Sequence, residues 1–128
     1  ENIMMAAVLA KGQTVLRNVA KEPEVQDLAN FLNSMGAKIN GAGSDEIIID
    51  GVEDLDGTEF SIPADRIEAG TYLIAAAITG GDVTISNVQA PRMNNILDKL
   101  KLSGASIAVG ADNIQLIMEN DFIFLVFL

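Results

Sequence analysis

The sequence predicts an α+β fold made of two tandem copies of one small unit, and three observations predict it. The apolar segment at residues 4–12 returns at residues 73–81, about 69 residues later. Each copy alternates apolar helical patterns with short runs rich in β-branched residues. A proline begins and a glycine ends the second helical pattern of each copy, at Pro23 and Gly36 and at Pro91 and Gly104.

The first helix of each copy is apolar almost all round. Residues 4–10 and 73–78 contain no charged side chain, a pattern typical of a helix buried on every side. Gly12 and Gly81 then break the helices, and β-branched residues predict short strands at residues 14–16 and 83–85.

The second helix of each copy is amphipathic and is followed by two short strands. The strands are predicted at residues 37–40 and 46–49, and at residues 105–109 and 113–117, and the turns between them, rich in Gly and Asp, predict hairpins. The inner helix faces are predicted to be Val25, Leu28, Ala29, Leu32 and Met35 in the first copy and Met93, Ile96, Leu97 and Leu100 in the second.

The connector between the copies is acidic at residues 52–56 and then alternates at residues 58–62 as a strand that would open the second copy. The predicted unit is therefore β-α-β-α-β-β, at residues 1–57 without its first strand and at residues 58–128 in full. A chain that starts inside a helix of a repeating unit is expected to be part of something longer.

Composition limits the possible chemistry. There are 18 acidic and 8 basic residues, a net charge of −10, and no Cys or His. Such an acidic surface disfavours nucleic acid as a partner. The chain has no disulfide, thiolate or imidazole chemistry, so any reaction must use carboxylates, Lys, Arg, hydroxyls or backbone amides.

The longest apolar runs are too short to span a bilayer, which needs roughly 18–20 residues. No basic segment precedes the first run, so no secretory signal is visible, and a cytoplasmic location without membrane attachment is expected. The final run, from Phe122 to Leu128, has high β-propensity and no charge. It predicts an edge strand through which the chain would form a homo-oligomer.

Three ungapped motifs closely resemble the family of UDP-N-acetylglucosamine enolpyruvyl transferases, which are 1-carboxyvinyltransferases related to the EPSP synthase of the shikimate pathway. The resemblance covers residues 1–119. The motifs are Glu1-Asn2-Ile3-Met4-Met5-Ala6-Ala7, residues 22–33 with Gly36-Ala37-Lys38-Ile39, and Asp65-Arg66-Ile67-Glu68 with Gly70-Thr71.

The resemblance implies six β-α-β-α-β-β units of an inside-out α/β barrel fold, three in each of two halves, with the active site in the cleft between them. This chain would hold the last unit of one half, to about residue 62, and the first unit of the other. The family transfers the enolpyruvyl group of phosphoenolpyruvate to the 3-hydroxyl of UDP-N-acetylglucosamine, without a metal or organic cofactor. That step opens peptidoglycan synthesis in bacteria, on which cell-wall formation, cell shape and cell division depend.

The sequence departs from the family in two ways. The family's flexible loop with a reactive Cys, its uridine-binding segment, its basic phosphate-binding residues and its general-base Asp belong to regions outside this chain, so the chain alone is expected to be inactive. The apolar run at residues 122–128 also replaces a polar, basic stretch, which suggests a truncated or frame-slipped gene product.

Glu22 and Glu24 flank Pro23 at the start of an amphipathic helix, where carboxylates are favoured by the helix dipole. The resemblance implies instead that Glu22 faces the cleft, with Glu24 as a second candidate there. Ala90 and Arg92 occupy the corresponding positions of the second copy, so a helix start alone does not require acid there. This difference favours a site role.

Asp65 and Glu68 form an Asp-x-x-Glu pattern that predicts a capping box, whereas the resemblance places Asp65 and Arg66 at the hinge near the cleft. Asn18 and Asn87 recur at one position of both copies and are predicted to be turn residues. By resemblance, Glu1 and Asn2 end the segment that binds the nucleotide sugar, and a substrate-binding role for them stays open. Gly80 and Gly81 match no phosphate-loop spacing.

Two alternatives remain open from the sequence. The chain is a non-catalytic binding or oligomerising module derived from this fold, whose apolar end adds to a partner's sheet edge. Alternatively it belongs to another enolpyruvyl transferase, such as the shikimate enzyme, although the Glu-Pro-Glu and Asp-Arg-Ile-Glu strings fit the nucleotide-sugar enzyme better.

Overall fold

A computed structural model describes residues 1–119 of the chain. The chain divides into two compact units, Glu1–Pro63 and a second unit that begins at Ala64. This junction lies six residues beyond the one predicted from the sequence, after residue 57. The assignment of the two units to different halves of a larger protein stays a prediction.

Unit 1 contains two helices and one antiparallel sheet in the order β1-β3-β2. Its second helix begins at a proline in the first turn and ends before Gly36, whose φ of 102° suits only glycine. Its elements are α1 (Asn2–Ala7), β1 (Gln13–Arg17), α2 (Pro23–Ser34), β2 (Lys38–Asn40) and β3 (Glu46–Asp50).

Unit 2 repeats this topology, with an antiparallel sheet in the order β4-β6-β5. The identical order of connections confirms the internal repeat and both predicted hairpins. Its elements are α3 (Arg66–Ile78), β4 (Asp82–Ser86), a 3₁₀ turn (Ala90–Met93), α4 (Asn94–Leu102), β5 (Ser106–Val109) and β6 (Asn113–Ile117).

Each unit has its own apolar core between its sheet and its helices. The central strand of each sheet alternates buried and half-buried residues, which is the pattern of a strand with one face on a core. Ile47 and Ile49 are buried in unit 1, and Ile114 and Leu116 in unit 2. The helices cover these residues with the side chains predicted for their inner faces, including Val25, except that Met35 is only half-buried and belongs to neither core.

The first helices of the two copies, α1 and α3, are not buried on every side, so this prediction is wrong. In α1, Met4 is buried, but Ile3 is 64% exposed. In α3, Leu73 is fully buried, but Tyr72 is 59% exposed and Ile74 40%. Each unit contains one sheet, so only one face of its first helix has a layer to pack against.

The strand predicted at residues 58–62 is not formed. This segment pairs with neither sheet, and its aromatic residue packs on unit 1 instead: the ring centroids of Phe60 and Phe31 lie 5.2 Å apart in a tilted arrangement. The Asp56 N–H also donates to the Met35 carbonyl at 2.8 Å, and Leu55 packs against the core. The connector therefore belongs to unit 1, although the sequence assigned it in part to the second copy.

The second helix of unit 2 starts later than the sequence predicts. Pro91 lies in the 3₁₀ turn Ala90–Met93, and the α-helix begins at Asn94. Proline fits the first positions of either helix type, because it fixes φ and lacks only an amide that would have no partner there. Gly104, with a φ of 101°, ends the helix as predicted.

The predicted edge strand at residues 122–128, and the homo-oligomer expected through it, lie outside the described residues. Within the part of the chain that the structure describes, every helix is too short or too polar to cross a bilayer.

Candidate functional site

Unit 1 has an open cavity of about 400 Å³ between the start of α1 and the end of β1. Its walls are mainly apolar and include Met4 and Leu16. Its polar lining comes from Glu1, Arg17 and Asn18. The structure thus places one sequence-predicted candidate, Glu1, in the same cavity lining as Arg17, which the sequence did not single out.

Unit 2 has a cavity of about 430 Å³ at the same place, between the start of α3 and the end of β4. Its polar lining comes from Asp65, Glu68, Tyr72, Thr84, Ser86 and Asn87. This cavity is richer in carboxylates and hydroxyls than its counterpart, and no Lys or Arg of residues 1–119 lines it. It is suited to neutral groups that donate hydrogen bonds rather than to anions.

An asparagine in the left-handed conformation lies beside each cavity. Asn18 has a φ of 54° and Asn87 a φ of 55°, and each follows the last residue of its first strand. Asparagine tolerates this conformation better than other residues with a Cβ atom. The two residues turn the chain from strand to second helix, which confirms their predicted role in turns.

Unit 1 pairs two of its cations with carboxylates near the cavity. Arg17 Nε donates to Glu46 Oε2 at 2.7 Å, and Lys21 pairs with Asp45. The Arg17 side chain is 79% exposed, so this pair contributes only about 0–1 kcal/mol to stability. Such a weakly held guanidinium is able to exchange its carboxylate for an anionic ligand.

Asp65 caps α3. Its Oδ1 accepts the N–H groups of Ile67 at 2.8 Å and Glu68 at 3.1 Å, which satisfies two of the helix's first amides. This confirms Asp65 as the N-cap, which is one half of the predicted capping box. Asp65 also lines the cavity of unit 2. Because the capping bonds hold Oδ1 in place, they also fix the position of Oδ2.

The remaining predicted candidates lie outside the two cavity linings. Glu22 precedes α2 and is exposed, and its side chain makes no capping hydrogen bond. Glu24 is exposed in the first turn of α2, Arg66 is half-buried in the first turn of α3, and Asn2 is the exposed first residue of α1. The helix dipole still favours both carboxylates at the start of α2. Capping does not account for the presence of a carboxylate at Glu22, because its side chain does not cap the helix.

Sequence reasoning missed four polar lining residues, Arg17, Tyr72, Thr84 and Ser86. Arg17 and Ser86 occupy one position of the repeat, immediately before the recurring asparagine. That asparagine was the signal available in the sequence, because a residue beside a repeated left-handed turn is placed alike in both units. In residues 1–119, no three acidic, His or Cys side chains converge to hold a metal ion.

Comparisons with known proteins agree with this architecture. The model of the EPSP synthase (3-phosphoshikimate 1-carboxyvinyltransferase) family matches residues 1–123. UDP-N-acetylglucosamine 1-carboxyvinyltransferases of Coxiella burnetii, from the Dugway and RSA 331 strains among others, are 56% identical over 120 residues. That match covers 94% of this chain and 28% of each relative.

Two solved structures are similar to most of the chain. The enolpyruvyl transferase NikO from Streptomyces tendae has a TM-score of 0.72 at 27% identity, over 90% of this chain and 28% of that chain. An EPSP synthase from Acinetobacter baumannii has a TM-score of 0.60 at 25% identity, over 91% of this chain and 28% of that chain. Because the family model matches residues 1–123 of the 128 in this chain, the chain belongs to the EPSP synthase family of enolpyruvyl transferases.

Proposed function

We propose that the protein to which these two units belong transfers the enolpyruvyl group of phosphoenolpyruvate to the 3-hydroxyl of UDP-N-acetylglucosamine. The hydroxyl oxygen forms a bond to the enolpyruvyl carbon, the bond from that carbon to the phosphate oxygen breaks, and inorganic phosphate leaves with the proton that the hydroxyl gives up. The observation that carries this proposal is the 56% identity over 94% of the chain to enzymes named for that reaction. The similarity to an EPSP synthase structure is only 25% identical, so it supports the wider family and not a shikimate substrate.

The part played by this chain is to position substrates. Enolpyruvyl transfer requires a hydroxyl and a carbon centre to be aligned and the developing charge to be stabilised. Asp65, held by two helix amides, is preorganised for an orienting hydrogen bond to a hydroxyl. We assign Glu22, Glu24 and Arg66 to the substrate-facing surface of the whole enzyme, together with Glu1 and Asn2 at the nucleotide-sugar end.

The isolated chain is proposed to be inactive. Both substrates are polyanions, and a site for them needs several convergent cations. Among residues 1–119, the lining of the two cavities contains one Lys or Arg side chain, Arg17, which already pairs with Glu46. The remaining charge must come from the rest of an enzyme of which this chain matches 28% of the length. The reaction and its cytoplasmic substrates would place the whole protein in the bacterial cytoplasm, in peptidoglycan synthesis.

A grafted enzyme tests the proposal. The 120 matching residues of the Coxiella burnetii enzyme are replaced by those of this chain, and phosphate release is measured with phosphoenolpyruvate and UDP-N-acetylglucosamine. The same residues are grafted into the Acinetobacter baumannii EPSP synthase and assayed with shikimate 3-phosphate as the matched control. Activity only in the first graft supports the nucleotide-sugar assignment.

The opposite results contradict the proposal. A well-folded first graft that releases no phosphate would show that these units do not support the reaction. Activity only in the second graft would move the chain to the shikimate branch of the family. Turnover by the isolated chain would contradict its proposed inactivity and leave the substrate assignment intact.

A further inference from the structure

Strand β2 ends on an Asn-Gly pair. Asn40 is the last residue of the strand, and Gly41 begins the turn that leads to β3. This is the only Asn-Gly pair in the sequence. The main-chain amide nitrogen that follows an asparagine is able to attack its side chain, and a glycine at that place leaves the nitrogen without a shielding Cβ atom. The pair is therefore a chemically reactive position if its two groups are free.

The amide of Gly41 is not used by the sheet. The Asn33 side chain holds both main-chain groups of Ile39, so these groups face away from β3. Bonded and non-bonded positions alternate along an antiparallel strand. Asn40 is therefore bonded to β3, and the Gly41 N–H points away from it. No group of residues 1–119 accepts a hydrogen bond from this N–H.

The side chain of Asn40 is equally available. It is exposed, and within the described part of the chain no hydrogen bond engages its amide. β2 is an outer strand of three residues. Only the end of this short strand has to open before the Gly41 nitrogen reaches the side-chain carbon, and such local openings require little free energy.

The turn itself requires the glycine. Gly41 has a φ of 83°, and a Cβ atom at this position would overlap the main-chain oxygen of Glu46. Replacing the glycine would therefore disturb the turn, and the reactive pair is retained with it. The counterparts in unit 2 are Ala108 and Val109. Neither has a side-chain amide, so the same chemistry does not occur in the hairpin of unit 2.

We propose that Asn40 is a site of spontaneous deamidation in the folded chain. The Gly41 nitrogen gives up its proton and forms a bond to Asn40 Cγ, the bond from Cγ to Nδ2 breaks, and Nδ2 leaves as ammonia. A cyclic imide remains, and water opens it. Breaking the new bond to Cγ gives aspartate, whereas breaking the bond from the same nitrogen to the main-chain carbonyl carbon gives isoaspartate.

Both products disturb the β2–β3 hairpin. Isoaspartate carries the main chain through the former side chain, which lengthens the path at the last bonded position of β2. Either product places a carboxylate opposite Ile48, whose neighbours on the same face of β3 are Glu46 and Asp50. Like charges on neighbouring strands weaken pairing. Deamidation is therefore expected to loosen β2 from β3.

Peptide mapping by mass spectrometry tests the proposal. The full 128-residue chain is incubated in native buffer at mildly alkaline pH, which favours loss of the amide proton, and in urea as the unfolded reference. In the native chain, Asn40 is expected to convert at least about tenfold faster than Asn30, because Asn30 is followed by a bulky residue instead of glycine. Asn30 is a matched control because it is also exposed. Labelling with an isoaspartyl methyltransferase identifies the isoaspartate product.

Two variants separate the reaction from its consequences. Asn40→Gln keeps a side-chain amide but would have to close a larger ring, so it is expected to stay intact and equally stable through the incubation. Asn40→Asp supplies the new charge on an unaltered main chain. The incubated wild-type chain is expected to melt below freshly prepared Asn40→Asp, because isoaspartate also changes the path of the main chain.

A native chain that keeps Asn40 intact would overturn the proposal, and conversion in the unfolded reference alone would show that the fold protects the pair. Equal conversion of Asn40 and Asn30 would overturn it as well, since the glycine would then have no effect. An isoaspartate-containing chain as stable as incubated Asn40→Gln would overturn the effect on the hairpin.

Discussion

The side-chain amide of Asn33 holds the main chain of Ile39 through two hydrogen bonds. Asn33 Nδ2 donates to the Ile39 carbonyl at 2.9 Å, and Asn33 Oδ1 accepts from the Ile39 N–H at 2.8 Å. Asn33 lies in the last turn of α2 and Ile39 at the centre of β2. The amide therefore occupies the place of a neighbouring strand and ties the helix to the sheet edge.

Replacing Asn33 by Ala is expected to lower the free energy of unfolding of unit 1 by about 1–2 kcal/mol, because two main-chain groups lose their partners and are only partly rehydrated. Urea unfolding followed by circular dichroism measures the loss. Asn30→Ala is the matched control, since Asn30 is exposed on the same helix. Equal stability of the two variants would show that the amide clamp contributes nothing measurable.

Gly51 is required by space rather than by φ. A Cβ atom at Gly51 would lie 1.6 Å from the main-chain oxygen of Ala10, and the Gly51 N–H donates to the Gly12 carbonyl at 2.9 Å. The end of β3 thus approaches the segment after α1 more closely than any side chain permits. Gly51→Ala is expected to cost at least about 2 kcal/mol, because main chain rather than a flexible side chain must move.

Gly57→Ala is the control for this prediction. Nothing lies within 4 Å of a Cβ atom at Gly57, so this variant is expected to change the stability by less than about 0.5 kcal/mol. Thermal unfolding of both variants beside the wild-type chain measures the difference. A Gly51→Ala chain as stable as the Gly57→Ala chain would contradict the close approach.

Much of the fold is predictable because the repeat constrains it twice. A proline and a glycine that recur together mark the ends of a helix more reliably than either does alone, and the glycines at 36 and 104 do end α2 and α4. The prediction of a strand at residues 58–62 is wrong because an alternation of apolar residues does not show whether a neighbouring strand is available for pairing. The ring of Phe60 packs against the ring of Phe31 instead.

The candidate site was less predictable than the fold. Asp65 was recognised because an N-cap has a local signature. The cavities depend on which helix start lies against which strand end, and no short motif encodes that arrangement. Arg17 and its repeat counterpart Ser86 line equivalent cavities. Because the two residues differ in type, the repeat did not identify Arg17 as a site residue.

The separate cores predict separate responses to core mutation. Ile49 and Leu116 are fully buried counterparts in the central strands of the two sheets and belong to different clusters. Truncating either residue to Ala is expected to cost about 2–5 kcal/mol. Hydrogen exchange with mass spectrometry is expected to show lost protection in unit 1 alone for Ile49→Ala and in unit 2 alone for Leu116→Ala. Equal loss in both units for either variant would show that the chain unfolds as one cooperative body.

Asp65 has two assigned roles that substitution separates. Asp65→Ala removes the cap of α3 and is expected to cost about 1 kcal/mol, whereas Asp65→Asn keeps a good capping acceptor and is expected to cost only a few tenths. In the grafted enzyme, a positioning role for the carboxylate predicts that Asp65→Asn lowers kcat/KM at least about tenfold with stability preserved, because a charge that orients a substrate hydroxyl is lost. Thermal unfolding and phosphate release are measured on the same samples. If Asp65→Asn is fully active while Asp65→Ala is less stable, the role of Asp65 is limited to capping α3, because the carboxylate charge would then contribute nothing to the reaction.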